Sequence, residues 1–207
     1  MKEKNDIESF DSIITSKQKI FDLNLKAVWR YRDLLTLLVR RDIVSFYKQT
    51  IFGPFWFFVQ PIFTVGIYIF IFGKLARIPT DNIPMPLFYL TGVIAWNYFS
   101  DTLNKTANVF RDNASIFGKV YFPRLIMPMS IVISNLVRIA IQLVLLFLVM
   151  SYYTFQGANI DITWTILLFP LFVILLVALS LGLGLIISSL TTKYRDLSIL
   201  LSFAIFR

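Results

Sequence analysis

Cysteine and histidine are both missing from the 207 residues. Without cysteine the chain has no disulfides and no thiolate metal sites, and without histidine it lacks the commonest general base and metal ligand. Charge is scarce too: 15% of residues are charged, against roughly 25% in a soluble domain, too few to build a water-exposed surface. What is present is apolar. Hydrophobic residues make up 57% and aromatics 16%, mean hydropathy is +0.72, and 20 Lys+Arg against 12 Asp+Glu leave a net charge of +8. The composition describes an all-α, polytopic helical membrane protein in which any catalysis would rest on a few scattered carboxylates.

A membrane-crossing helix needs about 20 mainly apolar residues. The charge-poor windows predict spans over 55–73, 87–110, 126–152 and 164–190. The second half of the 87–110 span, with Asp101, Asn104, Lys105 and Asn108, is too polar to face lipid. A fifth span begins at Leu197 but has ten residues before Arg207, so the sequence reads as cut off within a helix. Lys and Arg beside the spans divide fifteen against two, and the richer side is cytoplasmic by the positive-inside rule, which puts the N-terminus there. The first hydrophobic run starts beyond residue 50 and contains Pro61, so it is an internal span and not a cleavable signal peptide.

Residues 1–24 form a polar tail of mixed charge with too little apolar content to order itself. From Leu25 to position 50, Val28, Trp29, Leu35, Leu38 and Val39 recur at helical spacing among Lys26, Arg30, Arg32, Arg40 and Arg41. That pattern describes an amphipathic helix in the cytoplasmic interface, or a solvated helix packed on the protein. The loop 111–124, RDNASIFGKVYFPR, has Asp112 or Asn113 to cap a short helix and Gly118 and Pro123 to end it. Ile116, Phe117, Val120, Tyr121 and Phe122 give it an apolar side, which either anchors at the membrane surface or takes a partner. Neither an internal repeat nor a low-complexity tract is evident, and residues 51–207 read as one transmembrane domain.

No G-x-x-x-x-G-K-[ST] loop occurs and Gly182-Leu183-Gly184 lies within an apolar span, so ATP is not bound by this chain. Asp101 is the one acid in the first four spans, which weakens enzyme and proton-coupled readings. Asn104-Lys105-Thr106 and Asn113-Ala114-Ser115 match the glycosylation pattern but fall on the cytoplasmic side. Arg138 follows Ile126 by twelve residues, about 18 Å along a helix. Facing lipid there it would cost roughly 2.5–3.5 kcal/mol or more. Asp101 lies about 21 Å below Leu87, leaving a gap of about 9 Å between the two, and side chains lean toward their helix N-termini. Arg138 leans inward and Asp101 outward, so the two are expected to meet, directly or through Asn135 or Asn104, either to lock helices or to act on a substrate. Span 1 is aromatic on every side, with Phe55, Trp56, Phe58, Phe63 and Tyr68 among its rings. Some rings face lipid, and others are left to line an internal surface suited to a sliding glycan.

The run LVRRDIVSFYKQTIFGPFWFFVQP, the KVYFP stretch at 119–123 and the TTKYRD turn after the fourth span resemble the membrane subunits of type-2 ABC exporters, above all bacterial polysaccharide permeases for O antigen, teichoic acid or capsule. The likeness runs from about Leu25 onward. It implies six spans, a homodimer, two copies of a separate ATPase that binds ATP and Mg, and a place in the bacterial cytoplasmic (inner) membrane; nucleic acid is not among the partners. It implies that Asp112, Ile116, Phe117, Lys119, Val120, Tyr121, Phe122 and Arg124 couple to the ATPase. Spans 1 and 5 of two protomers would enclose the conduit. Arg40, Arg41 and Lys48 would meet the diphosphate of a lipid-linked substrate, or serve only topology. The missing outer hairpin and sixth span set this sequence apart from the family pattern. A drug or small-amphiphile exporter of the same fold is the alternative; a channel or scaffold would leave the Phe117–Phe122 cluster without a partner, and a membrane transferase or phosphatase would need acidic or His clusters.

Overall fold

A computed structural model describes residues 25–48, 53–80, 83–119, 121–158, 164–194 and 196–205. Helices occupy nearly all of them. Two helices, α1 (Leu25–Arg30) and α2 (Arg32–Lys48), stand where one interface helix is predicted, broken at Tyr31. A 3-10 turn (Gly53–Phe55) leads into α3 (Trp56–Tyr68), which continues as a π-helix (Ile69–Leu75). Then come α4 (Met85–Asp112), the short α5 (Ala114–Phe117), α6 (Ile126–Phe155), a second 3-10 turn (Trp164–Leu168), α7 (Phe169–Lys193) and α8 (Asp196–Ala204).

Local chemistry sets the helix ends. Gly53 has φ +48, a conformation that suits glycine. Prolines open α4 and α7 at their first two positions, where a missing N–H costs nothing. Gly157, φ +83, follows the last residue of α6 by two, the left-handed stop common at helix C-termini. Pro61 is buried inside α3, where it withholds one helical hydrogen bond from Phe57.

Among the described residues, three helices are long and apolar enough to cross a membrane: Trp56–Leu75, Ile126–Phe155 and Phe169–Lys193. The polar half of α4 keeps it below that measure, yet α4 is the centre of the bundle. Fourteen of its 28 residues are buried, and it packs on α3, α6, α7 and α8. Its tightest contact is with α7, which presents buried Ser180, Gly184, Ser188 and Thr191 at four- and three-residue steps, a small-residue stripe that lets two backbones approach. A Cβ built on Gly184 would lie 2.7 Å from Thr106 Cβ. Thr191 Oγ1 donates to the Ala107 carbonyl at 2.7 Å, so a polar bond reinforces the close approach.

The apolar stripe of α1 and α2 splits between two environments. Val28 and Leu38 are buried against Val109, Phe122, Ile126 and Met127, with Leu35 packed beside them, whereas Trp29 and Leu37 are exposed. The helix pair therefore clasps the starts of α6 and the end of α4 with one side and leaves the other open.

Candidate functional site

The elbow between α4 and α6 is built differently from its predicted form. Asn113 stands at the start of α5, but its side chain makes no cap to α5; its Nδ2 instead donates backward to the Val109 carbonyl at 2.9 Å, closing α4. Phe117 stacks on Phe122 at 5.3 Å and leans on Phe110 at 5.6 Å. Phe122 is 6% exposed and belongs to the core that holds Val28 and Leu38. Burying its ring among those apolar neighbours is favourable, so within this chain it stands as an internal anchor of the elbow. Ile116 and Phe117 pack partly against the same core. Asp112, Lys119, Tyr121 and Arg124 are exposed, Tyr121 at 72%, and these form the outer face. Val120 lies outside the described residues. Arg111 joins the elbow to α8: Nη1 donates to Ser198 Oγ at 2.7 Å, while Nε reaches Asp112 Oδ1 at 3.2 Å.

A polar layer crosses the bundle one level above. Arg138 Nη1 donates to Asp101 Oδ2 at 2.5 Å, linking α6 to α4, and the guanidinium lies 5.3 Å from the Phe57 ring centroid. Asn135 Nδ2 donates to Thr102 Oγ1 at 2.9 Å, so Asn135 supports the layer without bridging the pair. Asn104 instead accepts from Asn108, one turn along α4. Asp42 of α2 shares a small cavity with Phe57, Ser134, Asn135 and Arg138. A residue of the interface helix and one from the first turn of α3 therefore stand level with Arg138. At 1.5 Å per residue, α4 from Met85 to Asp101 measures about 24 Å and α6 from Arg138 to Phe155 about 26 Å, close to the roughly 30 Å of a hydrocarbon core. Measured from those ends, the pair lies within the length that such a core spans.

Arg40, Arg41 and Lys48 line up on α2 and all three are exposed. They are not equivalent. Arg41 donates to Asp42 Oδ1 from Nε at 3.0 Å and Nη2 at 2.9 Å, so part of its charge is answered within the helix.

A cleft of about 830 Å³ opens between α3 and the N-terminal half of α4. Gln60, Thr64, Ile67 and Tyr68 form one wall, spaced to share a helix face, and Phe88, Thr91, Gly92, Trp96 and Asn97 stand in the other. Of the five aromatics predicted for a conduit, Tyr68 lines this cleft, with its ring edge-on to Phe72 at 5.6 Å and Tyr89 at 6.4 Å; Phe55, Trp56, Phe58 and Phe63 are not among the lining residues. Sequence reasoning missed Gln60, Phe88, Trp96 and Asn97, although polar residues recurring every fourth position in an apolar helix, as Gln60 and Thr64 do, are a signal. No cluster of three or more metal-ligating side chains occurs among the described residues.

Comparison with known proteins adds a decisive observation. The family described as ABC-2 type transporter matches residues 33–206. The chain belongs to the ABC-2 type transporter membrane family. Within it, the chain is 29% identical over 180 residues to the O-antigen export system permease protein RfbA of Myxococcus xanthus, covering 86% of this chain and 66% of that protein. It is 28% identical over 173 residues to the permease of the same name from Klebsiella pneumoniae, covering 84% and 64%. The chain thus spans about two thirds of the length of the curated relatives it matches. Membership of an ABC-2 transporter family points to a transport role for this chain.

Proposed function

We propose that this chain acts as the membrane permease of an ATP-driven exporter of lipid-linked polysaccharide in the bacterial cytoplasmic membrane, with its N-terminus in the cytoplasm. The observation that carries the proposal is the similarity to O-antigen export permeases over 86% of the chain; it also favours a polysaccharide over the drug-like cargo of the alternative reading. Two copies of the permease work with two copies of a separate ATPase, which supplies ATP and Mg chemistry. ATPase closure presses on Asp112, Lys119, Tyr121 and Arg124. The internal stack of Phe110, Phe117 and Phe122 makes the elbow stiff enough to pass that push to α4, α6 and the α1–α2 clasp. Arg40 and Lys48 receive the phosphates of the lipid carrier at the inner mouth, and Arg41 does so after yielding Asp42.

The test is to delete the gene from its host. Lipid-linked polysaccharide accumulating on the cytoplasmic side, with an ATPase co-purifying with the restored chain, is the expected result. Sensitivity to amphipathic toxins without such accumulation transfers the assignment to small-molecule export.

A further inference from the structure

The cleft between α3 and α4 carries information about the cargo's charge. Among the described residues, none that lines it bears a formal charge, although the chain as a whole is strongly cationic. Its polar groups are amides and hydroxyls. The Thr64 and Thr91 hydroxyl protons are donated to the carbonyls of Gln60 and Leu87 on their own helices, so these oxygens face the cleft as acceptors. Gln60 and Asn97 bring amides that both donate and accept. Tyr68, Phe88 and Trp96 offer ring surfaces between these groups.

We infer that this cleft is a passage for uncharged saccharide units, and that the exporter favours neutral polymers over phosphate- or uronate-bearing ones. The inference rests on the polysaccharide reading above. A hydrocarbon chain in the cleft would leave the Gln60 and Asn97 amides without partners, a penalty that favours a hydroxyl-rich occupant. An anionic unit would lose its hydration with no cation in the lining to replace it. Sugar hydroxyls match the neutral donors and acceptors, and the C–H faces of sugar rings lie against aromatic faces. The cleft volume is also within the roughly 300–1,000 Å³ of ligand sites.

The complete transporter, with its ATPase, is expressed in cells that make either a neutral hexose polymer or the same polymer with a glucuronate in each repeat. Export of the neutral polymer at least about tenfold faster is expected, with the preference narrowed by Thr91→Lys, which places a cation in the wall. Equal export of both polymers overturns the inference. Failure of the polysaccharide reading looks different, since neither polymer then accumulates inside cells lacking the gene. A second measurement needs no transport: a neutral hexasaccharide of glucose perturbs the tryptophan fluorescence of the purified chain in nanodiscs, and Trp96→Phe removes the response. A glucuronate hexasaccharide that gives an equal response also overturns it.

Discussion

The two halves of α4 face opposite circumstances. From Asp101 to its C-terminus the helix is held by side-chain bonds to three neighbours: Arg138 and Asn135 on α6, Thr191 on α7 and Ser198 on α8. From Met85 to Asn97 its inner side packs on apolar residues such as Val65, Ile139 and Val177, and its other side opens on the cleft. Two glycines summarise the contrast. Gly184 has no room for a methyl group against Thr106, while a Cβ on Gly92 meets nothing within 4 Å. The half nearest the elbow is thus cross-linked to its neighbours by polar bonds, whereas the half that begins at Met85 borders open space on one side.

The contrast can be broken most severely at the ion pair. Arg138→Ala removes the guanidinium that binds the partly buried Asp101 and is expected to destabilise by about 3–5 kcal/mol, read as lost folded yield and a lower melting temperature in detergent; Asp101→Ala on the same background should recover part of it. A neutral effect of Arg138→Ala would show the layer to be ornamental. Gly184→Leu comes next, forcing α4 and α7 apart at a cost of about 1–3 kcal/mol. Ser198→Ala removes one hydrogen bond from a half-exposed guanidinium, and about 1 kcal/mol is expected. Its sharper readout is the ratio of transported cargo to ATP hydrolysed, which falls if α8 follows the elbow through Arg111 and stays constant if the bond only fixes position. Gly92→Phe is the smallest in stability, near zero, since the side chain enters open space; export should nevertheless drop, because the ring fills the cleft.

Much of this arrangement is visible in the chemistry of the chain. Span positions follow from apolar length, and α4, α6 and α7 begin or end within about five residues of expectation because lipid demands continuous helices. The approach of Arg138 to Asp101 follows from helix rise and the lean of side chains. Nothing in a sequence says that α2 will cover the first three turns of α6. An aromatic in a loop looks exposed until its core partners are known, and those of Phe122, Val28 and Leu38, come from another region of the chain. The cleft depends on how α3 rotates about its axis relative to α4. In a helix aromatic on all sides that rotation has no sequence signature, so Tyr68 could not be separated from Phe63.

Arg111 reads two parts of the chain at once, one neighbour away at Asp112 and 87 positions away at Ser198. Moving the elbow therefore strains the link to the first turn of α8. The two segments are tethered across the intervening chain, so neither is repositioned without pulling on the other.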